Sequence, residues 1–318
     1  MRISCKAPAK VIISGEHSAV YGYPALAAAV NVYSRVIVET VDEFGPHEIC
    51  SEKYGIGKVI GGALSGPATL KPLARIVSAF SESESFRGKL KIRVSSDIPP
   101  ASGMGSSASV SVALAYALLK IIHDEPPEEK VFKLAMEGER IAHANPSGVD
   151  VATALRGGLI LFVKDKGFER LEAGKGVFLL ADSGIERSTG EMVSKVALLR
   201  EKEPALFNIA MTSISDITTR ISRLLHSDMI EAGRLMTFNH LLLSLLGVSN
   251  SKLDSIVWTS ISSGAYGAKL TGAGGGGCVL ILVDEKSIIH VEEALKKINV
   301  QSRVLKMVET GVHLEELS

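Results

Sequence analysis

A run of glycines and serines, GMGSSA at residues 103–108, stands directly before an apolar segment that continues to residue 122. Glycine lets backbone N–H groups turn inward at a helix start, where the unpaired donors and the helix dipole favour an anion. The serine hydroxyls add further donors and oxygen ligands suited to Mg²⁺. The run therefore predicts a phosphate-binding loop, and its alternative is a helix that is merely capped by serine.

The same spacing fits the G-x-G-x-x-A fingerprint of dinucleotide-binding proteins. In that fingerprint the strand runs directly into the glycines, whereas here Pro99 and Pro100 intervene. A second glycine run at residues 272–277 fits the related pattern, but the strand-like CVLILV follows it instead of a helix. The sequence also lacks a Walker A motif. These observations favour phosphate binding over an oxidoreductase that uses a nicotinamide cofactor.

A second segment, residues 10–30, carries charged side chains beside a turn. Lys10 begins a strand-like run, and Glu16 and His17 lie in the turn after it, ahead of a run of small residues. A Glu-His pair at such a turn can bind polar groups of a substrate. The alternative is a solvated turn with an ordinary surface lysine.

A third segment places Asp150 at or near a helix start, because Pro146 and Gly148 force a turn before it. Such an aspartate can accept a hydroxyl proton beside a basic group, or it can simply stabilise the helix dipole. In the preceding helix, Glu139 borders the apolar stripe and is a candidate metal ligand, but Glu137 borders the opposite side equally well. Together the segments supply what phosphoryl transfer from ATP to an alcohol requires.

These residues need strands and helices to bring them together. Alternation and β-branched content predict strands at residues 3–7, 10–14, 32–41, 90–95, 157–163, 177–181 and 304–308, and a strand, glycine turn and strand over residues 267–283. Helical periodicity predicts a helix that begins near Pro24 and helices over residues 70–81, 108–122, 128–143, 189–201, 204–226, 228–246, 251–263 and 288–299.

The length of 318 residues fits two domains at roughly 150 residues each. Three glycines lie in the stretch from residue 167 to residue 177, where we place the boundary between the domains. We therefore predict an α+β protein with an N-terminal mixed α/β domain over residues 1–170, which carries the phosphate loop and the catalytic residues. Residues 171–318 are predicted to form a helix-rich α+β domain with a small antiparallel sheet.

Charge and cysteine content exclude several classes of partner. The 35 Lys and Arg residues balance 35 Asp and Glu residues, so no overall field favours nucleic acid or an anionic membrane. Three widely spaced cysteines, Cys5, Cys50 and Cys278, argue against a disulfide framework or a zinc cluster. The N-terminus has no apolar signal-peptide core, and the helix at residues 108–122 is short for a bilayer. We expect a cytoplasmic protein.

Three segments resemble, in order, the motifs of the GHMP kinase superfamily, and the match extends over nearly the whole chain. They are KVIISGEHSAVYGYPALAAAV, PPASGMGSSAS and KLTGAGGGGC. Within the superfamily, GEHSAVYG, GERIAHANPSGVD and GIERSTGEMV are most similar to members that phosphorylate mevalonate. The resemblance implies a two-domain GHMP-kinase-like fold, ATP and Mg²⁺, and phosphorylation of the 5-hydroxyl of mevalonate for isoprenoid biosynthesis.

The resemblance also implies roles for the matched residues. Asp150 matches the catalytic aspartate, and Lys10 matches the lysine that activates the substrate hydroxyl and contacts the transferring phosphoryl group. Ser107 and Glu139 match the Mg²⁺ ligands, with Ser106 as the alternative to Ser107. The positions matched to nucleotide binding are Pro99, Ala101, Ser102, Gly103, Met104, Gly105, Ser106 and Ser107.

Glu16, His17 and Thr189 match positions that contact the substrate. Thr189 has a structural alternative, because Ser188 and Glu191 around it have the spacing of a helix capping box. The third motif, residues 272–277, resembles a segment that packs against the nucleotide site from the second domain. Its alternative is a glycine turn that only allows close backbone packing.

The chain departs from the family pattern at four positions, none of which removes a functional group. They are Ala9, Ser102, Met104 and Ala144. Two other functions remain open: a sister kinase for phosphomevalonate or a sugar, and a sensor of this fold without turnover. The carboxylate of Glu16 favours an unphosphorylated acceptor, and the retained Lys10, Glu139 and Asp150 argue against a sensor. A homodimer is expected by analogy with similar enzymes.

Overall fold

The computed structural model describes residues 1–99, 102–143, 146–164, 166–172, 176–186 and 188–316, so Ala101 and Ala144 lie outside the described residues. The strands are β1 (Arg2–Ser14), β2 (Ala25–Val41), β3 (His47–Ser51), β4 (Gly55–Ile60), β5 (Ala63–Ser65), β6 (Lys89–Ser96), β7 (Leu159–Val163), β8 (Gly167–Leu171), β9 (Val177–Asp182), β10 (Gly267–Thr271), β11 (Cys278–Val283), β12 (Gln301–Leu305) and β13 (His313–Leu314). The helices are α1 (Lys71–Ser83), α2 (Ser106–Lys120), α3 (Glu128–Ala142), α4 (Val149–Arg156), α5 (Thr189–Lys202), α6 (Pro204–Ser227), α7 (Met229–Leu245), α8 (Ser251–Ser262) and α9 (Ile288–Lys297).

The larger sheet contains strands from both ends of the chain. Its main order is β13-β1-β2-β6-β3-β4-β5, and β7 pairs with β2 and with β8. The long strand β2 pairs with β1 along one edge, while β6 and β7 share its other edge. The β3–β6 pair is parallel and the other pairs of this sheet are antiparallel.

The helix predicted to begin near Pro24 is wrong, because residues 25–41 form strand β2. Alanine favours a helix in isolation. Here, however, residues 25–28 pair with β7 on one edge, and residues 26–30 pair with β1 on the other. Both faces are buried: Ala25 and Ala27 pack with residues of α4, and Leu26, Ala28 and Val30 lie in a core shared with the C-terminal half. Pairing on two edges and burial on two faces override the local preference.

Other strands also differ from the prediction. The two strands expected at residues 3–7 and 10–14 are one strand, β1, whose register shifts between Pro8 and Ala9. Such an irregularity accommodates a proline that has no N–H to donate. Strands β3, β4, β5, β8 and β13 were not predicted, and β12 begins three residues before the expected start at residue 304. The boundary placed between residues 170 and 171 stays a prediction.

Helix α2 is buried nearly all round, as the sequence predicts. Its core-facing residues belong to a cluster that also contains side chains of β1, β2, β6, α1 and α3. Fully burying a Val or Leu side chain contributes about 1.5–3 kcal/mol. Ala108, Val112, Leu114, Leu118 and Leu119 are all buried. A shift of α2 would expose several such side chains, so packing fixes the position of its N-terminus.

The smaller sheet lies in the C-terminal half and is antiparallel throughout, in the order β10-β11-β9-β12. Side chains of β9 and β11 share one apolar cluster with residues of β1, β2, α6 and α7. The two halves therefore meet through a continuous core behind the start of α2. Among the described residues, we find no helix whose length and apolar character would let it cross a membrane. The mixed α/β architecture, with a small antiparallel sheet in the C-terminal half, is the α+β fold that the sequence predicts.

Candidate active site

The glycine-serine run lies at the N-terminus of α2 and is fastened to β1. The backbone N–H of Lys10 donates to the carbonyl of Met104, with an N···O distance of 2.9 Å. The Met104 side chain is buried in the core shared by the two halves. Gly103 and Gly105 have φ angles of 78° and 70°, a conformation that side chains other than glycine rarely adopt. The loop is thus held by its backbone, with free N–H groups at the helix start.

Lys10 and Asp150, which are far apart in sequence, are in contact. Lys10 Nζ lies 3.0 Å from Asp150 Oδ1. The lysine comes from β1, and the aspartate lies in the first turn of α4, directly after Gly148 at φ 92°. The Lys10 side chain is 6% exposed and that of Asp150 is 34% exposed, so the carboxylate is the accessible member of the pair.

Gly105 joins the loop to this ion pair. A Cβ atom at Gly105 would lie 3.1 Å from Lys10 Cγ and 3.3 Å from Asp150 Oδ2. The backbone of the loop therefore touches both charged side chains. The structure brings together the loop, the lysine and the aspartate that the sequence singled out separately.

Glu139 lies beside the same helix start and is hydrogen bonded to it. Ser107 Oγ donates to Glu139 Oε1 at 2.6 Å, and Ser111 Oγ donates to the same oxygen at 3.2 Å. Burial raises the pKa of the Glu139 carboxyl, the Ser107 hydrogen bond opposes that rise, and the charge of Asp150 adds to it. Ser111 had no role in the sequence prediction, because only the helix geometry places it one turn behind Ser107.

Glu137, the other carboxylate that periodicity left open, faces away from this site. Its carboxylate accepts hydrogen bonds from Arg75 at 2.6 Å and 2.8 Å and from Arg140 at 2.7 Å. The described residues contain no group of three or more His, Cys, Asp and Glu side chains that could hold a metal. A hydroxyl with one carboxylate nevertheless suits Mg²⁺, which commonly takes one or two carboxylates and fills its remaining positions with water and phosphate.

The turn after β1 is buried, which excludes a solvated turn. Glu16 is 5% exposed and forms an ion pair with Lys269 of β10, a lysine with no exposed surface. Burial raises the pKa of Glu16 and lowers the pKa of Lys269, and the charge of each partner opposes the shift of the other. Sequence reasoning missed Lys269. The sequence does contain a clue, because a lysine within the strand sequence GAKLT would be buried only if its charge were paired.

His17 is held from the C-terminal half. Its Nε2 lies 2.8 Å from the carbonyl oxygen of Ala273, and its backbone has a φ of 61°, which is rare for a residue other than glycine. Burial lowers the pKa of the His17 imidazole. Ala273 belongs to the third glycine-rich motif, so this motif contacts the turn predicted to bind substrate.

The glycines of that motif allow close packing. A Cβ at Gly274 would lie 2.1 Å from the Val248 carbonyl oxygen, and a Cβ at Gly276 would lie 2.5 Å from the Ile185 carbonyl oxygen. Distances below 3.0 Å are sterically forbidden, so only glycine fits at these two positions. The run is a tight glycine turn that packs closely against the segments at His17, Ile185 and Val248. The close backbone packing that the sequence analysis gave as the alternative role of this motif is therefore present.

Two of the remaining predicted residues are Thr189 and Ser102, and neither contacts the Lys10–Asp150 pair in the hydrogen bonds and ion pairs of the described residues. Thr189 is exposed at the start of α5, where Ser188 Oγ accepts a hydrogen bond from the Glu191 N–H at 3.3 Å. The capping arrangement is therefore present, and a substrate contact of Thr189 stays a prediction. Ser102 Oγ donates to the Pro99 carbonyl at 2.8 Å, and this hydrogen bond links the two residues where the loop begins.

A cavity of about 560 Å³ adjoins the start of α2. Its volume lies within the range of roughly 300–1,000 Å³ that is usual for small-molecule sites. Its lining includes Ser106 and Ser107 together with Tyr54, Leu73 and Ile98. Its other lining residues are Ser51, Glu52, Lys53, Thr69, Pro72, Val94, Ser95, Ser96, Val110 and Ala142. The cavity therefore offers an apolar chamber beside a phosphate-type helix start.

Comparisons with known proteins agree with this fold. Family models of the GHMP kinases match twice, the N terminal domain at residues 71–158 and the C terminal domain at residues 221–301. The fold and the site therefore define a GHMP kinase. A mevalonate kinase of Aeropyrum pernix is 35% identical, and the alignment covers 98% of this chain and 97% of the relative. The chain belongs to the mevalonate kinase family.

Solved structures show the same likeness. The mevalonate kinase of Methanococcus jannaschii has a TM-score of 0.81 at 27% identity, with 97% of this chain and 98% of that chain covered. The L. major mevalonate kinase in complex with R-mevalonate has a TM-score of 0.75 at 26% identity, with 97% and 94% covered. These matches do not favour the sister-kinase, sensor and oxidoreductase alternatives.

Proposed function

We propose that this protein transfers the terminal phosphoryl group of ATP to the 5-hydroxyl of mevalonate. The observation that carries the proposal is the contact between Lys10 and Asp150, 3.0 Å apart, beside Gly105 at the start of α2. A helix start with free N–H groups binds phosphate, and the adjacent ion pair supplies a cation and a base at the place where the terminal phosphate would lie. Membership of the mevalonate kinase family supports the acceptor.

ATP would lie along the cavity and the loop. We place the base and ribose in the 560 Å³ cavity and the phosphates at the N-terminus of α2, beside Ser106 and Ser107, which line that cavity. All the residues that line this cavity lie between residues 51 and 142, within the N-terminal half of the chain. The acceptor would approach from the opposite side of the Lys10–Asp150 pair, past Glu16 and His17.

The chemical step needs one base and one local cation from the chain. The 5-hydroxyl oxygen attacks the terminal phosphorus and forms the new P–O bond, while the bond from that phosphorus to the oxygen bridging to ADP breaks. The hydroxyl proton passes to the Asp150 carboxylate, and ADP leaves with the bridging oxygen. Lys10 holds Asp150 in place and offsets the negative charge that spreads over the transferring group.

Ser107 and Glu139 would hold Mg²⁺, and their hydroxyl and carboxylate oxygens fit that ion. When bound, Mg²⁺ neutralises phosphate charge. The Ser107 hydroxyl donates a hydrogen bond to Glu139 Oε1 at 2.6 Å, so the two side chains are already adjacent at the phosphate loop. Ser106 lines the same cavity and remains the alternative to Ser107.

We also infer a cytoplasmic homodimer. Cys5 and Cys50 are free thiols, which fits a reducing compartment. Helix α7 exposes large apolar side chains, with Leu245 72% exposed and Phe238 45% exposed, and exposed apolar patches are typical of interaction sites. The measurement that checks the dimer is the molar mass by light scattering during size-exclusion chromatography.

The experiment that tests the function is an ADP-release assay with four acceptors: mevalonate, phosphomevalonate, homoserine and galactose. We expect ATP-dependent turnover with mevalonate and little with the others. Faster turnover with any other acceptor would overturn the substrate assignment. ATP binding without turnover of any acceptor would instead favour the sensor alternative.

A further inference from the structure

Lys269 is a charged side chain in a strand whose residues are all buried. Its Nζ donates to the Leu270 carbonyl oxygen at 2.6 Å and also to Glu16 Oε1. Burying an ammonium is strongly destabilising unless it is paired and hydrogen bonded, and an apolar pair is often at least as stable as a buried ion pair. Stability alone therefore gives no reason for a lysine at this position.

Lys269 is one of three residues of the C-terminal half that contact residues 12–17, which we call the acceptor turn. Thr271 Oγ1 donates to the Ile12 carbonyl oxygen at 3.1 Å, and the Ala273 carbonyl lies 2.8 Å from His17 Nε2. Lys269 and Thr271 are alternate residues of β10, so their side chains lie on the same side of the strand. Ala273 adds a third contact from the turn after β10. The C-terminal half thereby holds residues 12–17 in one arrangement.

The acceptor turn needs such support. Gly15 has a φ of 100°, and a Cβ there would lie 2.5 Å from Ala25 Cα. His17 has a φ of 61° although it is not glycine. Conformations of this kind persist only where their surroundings hold them, and they are frequent at functional sites.

One carboxylate oxygen of Glu16 has no hydrogen-bond partner among the described residues. Glu16 Oε1 is occupied by Lys269, whereas Glu16 Oε2 is buried and has no hydrogen-bond partner among the described residues. A buried carboxylate oxygen without a donor is unusual, and it is satisfied when a ligand hydroxyl donates to it. Burial raises the pKa of Glu16, and the charge of Lys269 opposes that rise.

We propose that Lys269 is a positioning residue for the acceptor. It holds the Glu16 carboxylate so that Oε2 stays open to a hydroxyl of the acceptor, and it balances the buried charge of Glu16. The inference rests on the proposed function, because it places Glu16 in the acceptor site. It adds a residue from the opposite half of the chain to that site.

The first test compares Lys269→Met with the wild type in steady-state kinetics. We expect the KM for mevalonate to rise about 10- to 100-fold, the usual effect of losing a charge-assisted hydrogen bond, while the KM for ATP stays unchanged. Lys252→Met is the matched control, because Lys252 Nζ also donates to a backbone carbonyl, that of Ile298 at 2.9 Å, away from the site. An unchanged KM for mevalonate in a folded Lys269→Met variant would overturn the proposal.

The second test uses the double variant Glu16→Gln with Lys269→Met, which leaves no unpaired buried charge and so carries the test if the single variant does not fold. We expect its thermal midpoint to return toward the wild-type value while the KM for mevalonate stays raised. Recovery of both quantities would show that the pair is only structural. Absence of wild-type turnover with mevalonate would instead refute the proposed function, so the two failures are distinguishable.

Discussion

Asp150 is the single group that the proposed reaction cannot lose, since it is the accessible carboxylate of the Lys10 pair. Asp150→Asn keeps the size of the side chain and an oxygen for Lys10, but it removes the base. We expect kcat to fall by a factor on the order of 10²–10⁴, with ATP affinity close to that of the wild type. Single-turnover kinetics and ATP titration check this result.

Asp216→Asn, on an exposed position of α6, is the control for Asp150→Asn and should leave both quantities unchanged. Turnover by Asp150→Asn at a rate near that of the wild type would remove Asp150 from the role of base.

Glu139 and Glu137 form a matched pair for testing the metal. The two side chains lie on one helix, but only Glu139 bonds to Ser107, whereas Glu137 pairs with Arg75 and Arg140. We expect Glu139→Gln to raise the Mg²⁺ concentration for half-maximal rate by about tenfold or more, because a neutral amide is a weaker ligand for a hard cation. Rate against free Mg²⁺ at fixed ATP measures the effect.

Glu137→Gln should leave the Mg²⁺ titration unchanged, since it removes only surface ion pairs. If Glu137→Gln instead moved the titration and Glu139→Gln did not, the metal ligand would be misassigned.

The same Glu139 substitution also makes a prediction about stability. Burial raises the folded-state pKa of Glu139 above its ordinary value of 4.5. A raised pKa favours folding below the unfolded-state pKa, and that contribution is lost as the pH rises through the folded-state pKa. We therefore expect Glu139→Gln to raise the thermal midpoint at neutral pH and to lose this advantage as the pH falls toward 4.5. A lower midpoint at neutral pH would contradict the sign.

Among the secondary-structure elements, helix α2 begins directly after Gly105, and the Lys10–Asp150 pair packs against this glycine. Gly105→Ala places a Cβ at a φ of 70° and within 3.1–3.3 Å of Lys10 and Asp150. We expect kcat to fall strongly, because the ion pair must move away from the phosphates. Gly61→Ala is the control: its φ is 52° and its Cβ would meet nothing within 4 Å.

Gly61→Ala should therefore show the strain of a left-handed alanine, about 1–2 kcal/mol in the free energy of unfolding, with activity retained. Urea unfolding and kcat, measured on both variants, separate strain from displacement. Equal activity of the two variants would mean that the contact of Gly105 with the ion pair is unimportant.

The sequence predicts those parts of the fold that depend on residues close together in the chain. The buried helix α2, the glycine loop before it and the proline-glycine turn before Asp150 depend on residues within about one helical turn of each other, so the sequence reveals them. Strand β2 was missed because its alanines favour a helix until β1 and β7 pair with its two edges. Lys269 and Glu16 are separated by 253 positions, and no local pattern links residues so far apart.

For the whole molecule, buried histidines predict a loss of stability in mild acid. Burial lowers the pKa of His17 and of His240 below the ordinary value of 6.5, so the unfolded chain binds more protons below that pH. Their contribution is present above pH 6.5 and is lost as the pH falls toward the lowered folded-state values. We expect the urea midpoint to fall between about pH 7.5 and about pH 5.5.

The hydrogen bonds of His240 explain why its protonation would destabilise the fold, and a substitution at this position tests the explanation. Its Nδ1 accepts the Leu270 N–H at 3.3 Å and its Nε2 lies 3.0 Å from Asp254 Oδ1, so a second proton would displace the backbone donor. His240→Asn should make the urea midpoint depend less on pH in this range. A pH dependence identical to that of the wild type would exclude His240 as a contributor.

The pairing of β13 with β1 has a consequence during synthesis. His313 and Leu314 pair with Lys6 and Cys5, and the Glu315 carboxylate lies 3.3 Å from Lys6 Nζ and 3.2 Å from Arg35 Nε. The outer edge of β1 near residues 5 and 6 therefore stays open on the ribosome until residues 313–315 have emerged. A nascent chain that stalls before them presents an unsealed strand that other chains or a chaperone can bind.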